Sequence, residues 1–174
     1  MSSDPSADTD IRAGVWLFPA APADRLVEAV VAAERCGLDE VWIADEGVAR
    51  EPMAVLAAAA RETSTIGLAV GVTSPVLRHP GALAATAATV DELSGGRCTL
   101  GLGVGGEKSL APFDLLPVAG ERPVGLLADA IATARAVLSG RPGGLYRPPD
   151  HAAPARSVEI WVGARGPQLV ALAA

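Results

Sequence analysis

Apolar positions recur along this chain in two alternating rhythms. Short continuous apolar runs appear at Val41–Ala44, Ile66–Val72, Cys98–Leu102 and Glu159–Val162. Their length and β-branched content fit strands of a parallel sheet covered on both faces. Between them the apolar residues take helical spacing. In Asp24–Cys36, Leu26, Val27, Val30, Val31 and Ala33 form one stripe, and Gly37 stands at the C-cap position. Pro52 suits the first turn of a helix running to about Glu62, and Pro80 starts another that Ser94-Gly95-Gly96 ends. Ile11–Phe18 reads as a first strand stopped by Pro19 and Pro22, Val124–Leu138 as a fourth helix, and Gln168 onward as the start of a fifth. Gly103–Pro123 reads as a long irregular segment, and Gly140–Pro154 as a linker-like loop.

The resulting order, β-α repeated five times, leaves two architectures open: a doubly wound sheet, or part of a (β/α)8 barrel. A full barrel takes eight strands and about 250 residues. With about five parallel strands in 174 residues, the α/β reading is an incomplete (β/α)8 TIM barrel. No shift of composition marks a second domain, so residues 11–174 are expected to form one. Residues 1–10, MSSDPSADTD, are acidic and without an apolar core, and read as a flexible tail rather than a signal peptide or anchor.

Composition sharpens this picture in three ways. Half the residues are apolar but only 3% are aromatic, so the core must be built from Ala, Val and Leu. A net charge of −6 without a basic run argues against a nucleic-acid surface. No run approaches about 18 apolar residues, so no membrane span is expected. Cys36 and Cys98 lack CxxC partners and read as reduced thiols of a cytoplasmic protein.

Candidate chemistry collects at the C-terminal ends of the strands. Strand two ends in Asp45-Glu46, two carboxylates that point to opposite faces and so form no acid/base dyad. Strand three ends in Gly71-Val72-Thr73-Ser74-Pro75, where Gly71 suggests a bulge or close backbone approach. Arg78 could meet a phosphate or a neighbouring carboxylate, and His79 is placed to cap the helix that Pro80 opens. Strand four ends in Gly101-Leu102-Gly103-Val104-Gly105-Gly106. These glycines are no dinucleotide fingerprint, because they follow strand four and lead into a Pro-containing loop. They suit a flat ring lying against the strand ends. Strand five ends in Gly163-Ala164-Arg165-Gly166. There is no HExxH, no GxSxG and no metal-spaced His/Cys cluster, so metal-ion and Ser-His-Asp chemistry are not expected.

GVTSPVLRHP, ATVDELSGGR and LGLGVGG, with CGLDEVWIADE and EIWVGARGPQ, together resemble the bacterial luciferase-like superfamily. That superfamily includes FMN-dependent monooxygenases and coenzyme F420-dependent oxidoreductases. The resemblance implies a barrel holding a flavin or deazaflavin ring at the strand ends, and the GVTSP form is more similar to the F420-using branch. It implies a non-proline cis peptide at Gly71–Val72. It implies cofactor contacts at Asp45, Gly71, Val72 and Thr73, at Gly103, Val104 and Gly105, and at Gly163 and Ala164. Many hydride-transferring members carry a His after the strand-two Asp; here Glu46 stands there and is the candidate catalytic residue for proton handling. The expected function is hydride transfer or monooxygenation of a small organic substrate, using F420 or alternatively FMN. Two other readings stand beside it. One is a non-catalytic truncated barrel acting as a cofactor-binding or assembly module; the other is an unrelated α/β binding domain. A five-stranded sheet leaves edges with unpaired backbone groups, which a homodimer would cover.

Overall fold

A computed structural model describes residues 11–174; the tail expected over residues 1–10 lies outside them. Five strands, β1 (Gly14–Leu17), β2 (Glu40–Ile43), β3 (Gly67–Thr73), β4 (Cys98–Gly103) and β5 (Glu159–Gly163), pair in the order β1-β2-β3-β4-β5. Every pair is parallel. Each strand thus lies beside its neighbour in sequence. A doubly wound sheet would reverse its strand order at a switch point, whereas a barrel would not. The order therefore decides between the two architectures left open by the sequence.

The crossovers are helices: α1 (Ala23–Arg35), α2 (Pro52–Glu62), α3 (Pro80–Ser94) and α6 (Pro123–Ser139), with α7 (Pro167–Ala173) after β5. Local chemistry sets their ends. The Glu51 carboxylate accepts the Ala54 N–H at 2.6 Å, and His79 Nδ1 accepts the Gly81 N–H at 3.1 Å, so both helices start on a side-chain cap followed by proline. His79 thus has the capping role expected of it. Gly95 closes α3 at φ 73°, a left-handed conformation that glycine adopts without steric cost. The segment 103–123 is less irregular than its prolines suggest. It holds α4 (Glu107–Leu110), a 3-10 turn (Ala111–Phe113) and α5 (Leu116–Glu121).

Side chains alternate across the sheet and divide its faces. Val41, Ile43, Leu68, Val70, Leu100 and Leu102 are fully buried against the helices. They meet Leu56, Leu83 and Leu127, with Ala59, Ala84, Ala87 and Ala134 letting the helices approach closely. Each fully buried Leu, Val or Ile contributes about 1.5–3 kcal/mol through removal from water. The opposite face carries all three tryptophans, Trp16, Trp42 and Trp161, interleaved with Gly71, Gly101 and Gly103.

The end of the sheet at which the strands begin is tied by charged groups. The Arg97 guanidinium donates to the carbonyls of Ile66 (2.7 Å), Thr63 (2.9 Å) and Ala60 (3.3 Å). Glu34 Oε1 accepts the backbone N–H groups of Thr65 (2.6 Å), Ser64 (2.8 Å) and Ile66 (3.1 Å). Arg156 pairs with buried Asp91 at 2.9 Å.

Candidate functional site

Because the strands are parallel, their C-terminal ends lie along one edge of the sheet, where α/β proteins gather ligand-binding groups. A cleft of about 690 Å³ opens there. It is lined by Trp16 from β1, by Ala44, Asp45 and Glu46 after β2, and by Gly71, Val72 and Ser74 around the end of β3. Gly103 to Ser109 line it after β4, and Gly163, Ala164, Arg165 and Leu169 after β5. Its volume falls in the range of small-molecule and cofactor sites. A larger groove, about 780 Å³, lies between α1 and α2 on the outer helix layer, with none of the strand-end residues in its wall.

The β3 wall is irregular. The register with β4 shifts between Val70 and Thr73, and the Gly71–Val72 peptide bond is cis, at the position the sequence resemblance implied. The Val72 side chain lies over three glycines: a Cβ at Gly101, Gly103 or Gly163 would come within 3.0, 2.7 and 3.1 Å of its methyl groups. Beneath it, the Trp42 ring spreads over Gly71 and Gly101 and meets Trp161 at a centroid distance of 5.2 Å. The glycines of β3, β4 and β5 thus make room for two flat or branched side chains on the cleft side of the sheet.

Asp45 is the most heavily bonded residue at this edge. Its carboxylate accepts the Thr73 hydroxyl at 2.6 Å, the Gly47 N–H at 3.0 Å and both terminal nitrogens of Arg78. Arg78 also reaches Glu51 at 3.4 Å. Arg78 therefore serves neighbouring carboxylates, one of the two roles open to it in the sequence. Ser74 donates to the Val104 carbonyl at 2.7 Å and so joins the β3 and β4 ends. Gly105 combines φ 97° with a Cβ position 3.0 Å from Ser74 Oγ and 2.9 Å from Leu110, so no side chain fits.

Eight of the nine residues expected to contact a cofactor line the cleft: Asp45, Gly71, Val72, Gly103, Val104, Gly105, Gly163 and Ala164. Thr73 does not. Its side chain is buried below the surface of the cleft, on Asp45. Glu46 lines the cleft half-buried, and its carboxylate has no hydrogen bond or ion pair among the described residues. Sequence reasoning missed Trp16, Glu107, Lys108, Ser109 and Leu169. For Trp16 the signal was present, since alternation in GVWL puts it on the face opposite Val15 and Leu17. Cys98 is remote in chemistry as well as place: burial, with Asp91 nearby, pushes its thiol up to about 12, so it stays protonated. Among the described residues no three His, Cys, Asp or Glu side chains come together as a metal site would need, and no helix is long and apolar enough to cross a membrane.

This geometry has relatives. The model of the luciferase-like monooxygenase family matches residues 6–174. The 5,10-methylenetetrahydromethanopterin reductase of Methanolobus tindarius is 32% identical over 166 residues, covering 92% of this chain and 50% of that protein. The F420-dependent glucose-6-phosphate dehydrogenase of Beutenbergia cavernae is 34% identical over 174 residues, covering 88% of this chain and 50% of that protein. Among solved structures, the coenzyme F420-dependent tetrahydromethanopterin reductase of Methanopyrus kandleri superposes with a TM-score of 0.75 at 27% identity, over 92% of this chain and 52% of that one. The chain spans about half the length of the curated relatives it matches. With a family match over nearly its whole length and a five-stranded parallel sheet in barrel order, the chain belongs to the luciferase-like monooxygenase family.

Proposed function

We propose that the strand-end cleft holds the ring of coenzyme F420, with FMN as the alternative, and that the protein is an oxidoreductase acting on a small organic substrate. The observation that carries this reading is the wall itself. Gly71–Val72, Gly103–Gly106 and Gly163–Ala164 line one cleft of about 690 Å³, with Val72 seated on Gly103 and Gly163 and open space beside Gly106. A cleft of that size, walled mainly by small residues, has room for a fused ring system. Two relatives above 30% identity carry F420 dependence in their names, which favours that cofactor over FMN.

When bound, such a ring supplies hydride chemistry, and the protein's share is orientation and proton handling. Asp45 and Thr73 fix the β2 side of the wall through Arg78. Glu46, half-buried in the cleft and without a partner for its carboxylate among the described residues, is the group placed to hold or release a proton near a substrate.

Titration of the purified protein with F420 and with FMN, followed by absorbance, tests the reading. A saturable spectral change with F420, with a Kd on the order of micromolar and tighter than that for FMN, is expected. Absence of binding to either at high micromolar concentration overturns it. Binding without turnover, across a panel of alcohol, aldehyde and imine substrates, supports the cofactor-binding module instead. With turnover in hand, Glu46→Gln is expected to reduce kcat while leaving the F420 Kd within about twofold.

A further inference from the structure

We infer that Trp16 is a positioning residue for the β3 wall: its indole N–H holds the Gly71 carbonyl and thereby seats Val72 on the glycines that face the cleft. This rests on the proposed role of that wall in binding a ring.

Three observations converge. First, the Trp16 indole nitrogen donates to the Gly71 carbonyl oxygen at 2.7 Å, reaching from β1 across β2 to β3. Second, Gly71 and Val72 sit outside the paired positions of the sheet. β2 and β3 are in register only as far as Val70, and the β3–β4 register breaks between Val70 and Thr73. The ladder therefore does not dictate where this dipeptide lies. Third, Val72 seats on Gly103 and Gly163, with its methyl groups 2.7 and 3.1 Å from where a Cβ would stand. A shift of the Gly71 carbonyl carries Val72 with it, because the two share one peptide group.

Trp16 stands in the wall of the cleft and is 54% exposed, and an exposed aromatic gives up much of the stabilisation that burial would provide. A phenylalanine would keep the tilted contact with Phe18, whose centroid is 6.3 Å away. What only the indole supplies is the N–H. Trp161 makes an internal control. It is exposed to a similar degree, 47%, and its indole N–H has no acceptor among the described residues.

The test has two parts. In the wild-type protein without ligand, hydrogen exchange of the indole N–H groups is followed by NMR. The Trp16 N–H is expected to exchange at least tenfold more slowly than that of Trp161; equal rates overturn the inference whether or not any variant folds. In Trp16→Phe, the Val72 methyl signals are expected to move while those of Val90 in α3 stay in place, and the F420 Kd to rise about tenfold. Unmoved Val72 methyl signals overturn the inference. So does an unchanged Kd in a variant of a wild type that binds. If the wild type binds neither F420 nor FMN, the proposed function fails by itself, and the exchange rates and Val72 signals still decide whether Trp16 positions the wall.

Discussion

Replacing Asp45 with alanine removes the hub of the strand-end network, and the structure sets the size of the loss. Asp45 is 7% exposed, and its oxygens serve Thr73, Gly47 and Arg78. The hydroxyl of Thr73, a residue 1% exposed, donates to no acceptor but Asp45 among the described residues, and leaving a buried donor unsatisfied costs about 1–3 kcal/mol. Loss of a charge-assisted bond costs about 1.5–3 kcal/mol, and the Arg78 side chain, 28% exposed, can recover part of this from water and from Glu51. With that recovery taken off, the loss is about 2–5 kcal/mol for Asp45→Ala, and about 2 kcal/mol for Asp45→Asn, which keeps the shape and one acceptor. Urea unfolding at pH 7 measures both. A double-mutant cycle with Arg78→Met isolates the pair, with a coupling energy of about 1–2 kcal/mol expected between neighbours in one network. A loss under about 0.5 kcal/mol for Asp45→Ala, or zero coupling, would show that Asp45 is not the hub of this network. The same variants separate two roles. A hub that fixes the wall loses stability and cofactor affinity together, whereas a direct ring contact loses affinity alone.

Other consequences follow from single contacts. The Thr65 N–H above all, with those of Ile66 and Ser64, holds the Glu34 carboxyl down to about 2 from 4.5. Its stabilising effect is complete above about pH 5 and is lost as the pH falls from 4.5 toward 2. Glu34→Gln should therefore lower the urea midpoint at pH 7, with the gap closing near pH 2; a gap independent of pH contradicts this. Gly101→Ala should cost about 3 kcal/mol or prevent folding, because the new Cβ would overlap the Val70 carbonyl oxygen, which is backbone and cannot turn aside. A thermal midpoint equal to wild type would show that the sheet yields there. A thiol reagent should label exposed Cys36 at once and buried Cys98 only on unfolding; prompt labelling of both contradicts the burial. β1 and β5 each have an unpaired edge among the described residues, so light scattering should find a dimer, and a stable monomer at high micromolar concentration counts against edge pairing.

Most of the fold was legible because each strand and long helix carries its own signal. β2, β3, β4 and β5 begin within one residue of where the apolar runs begin, and Pro52, Pro80 and Gly95 mark helix ends as their chemistry requires. The first strand starts at Gly14 rather than Ile11, because pairing with Glu40 of β2, not hydrophobicity, decides where it begins. The segment 103–123 was misread for a different reason. α4 and α5 are only 4 and 6 residues long, too short to show a helical period, and Pro117 and Pro123 open helices rather than break them. In the site, glycine positions were readable from sequence since each has a local meaning. The direction of Thr73, the reach of Trp16 to Gly71 and the fit of Arg78 between Asp45 and Glu51 join residues 28, 55 and 33 positions apart or connect separate loops, and no local pattern announces them.

The two ends of the sheet show why a site of this kind can be built largely from backbone. Where the strands begin, Arg97, Glu34 and the Asp91–Arg156 pair tie one loop to the next with charged groups. Where they end, β4 and β5 finish in glycine, Arg78 ties Asp45 to Glu51 on the cleft's β2 side, and Val72 fills the space the glycines leave. A wall of glycine backbone contributes little burial of its own and loses more conformational freedom on folding than other residues do. Its rigidity must be imported from neighbours whose positions are over-determined. Asp45 supplies this through β2, Ser74 through the Val104 carbonyl, and Trp16 through the Gly71 carbonyl. Substituting the glycines should therefore disturb folding, substituting Asp45 should disturb folding and the wall together, and substituting Ser74 or Trp16 should disturb chiefly the shape of the wall, which is the property a flat ring would sense.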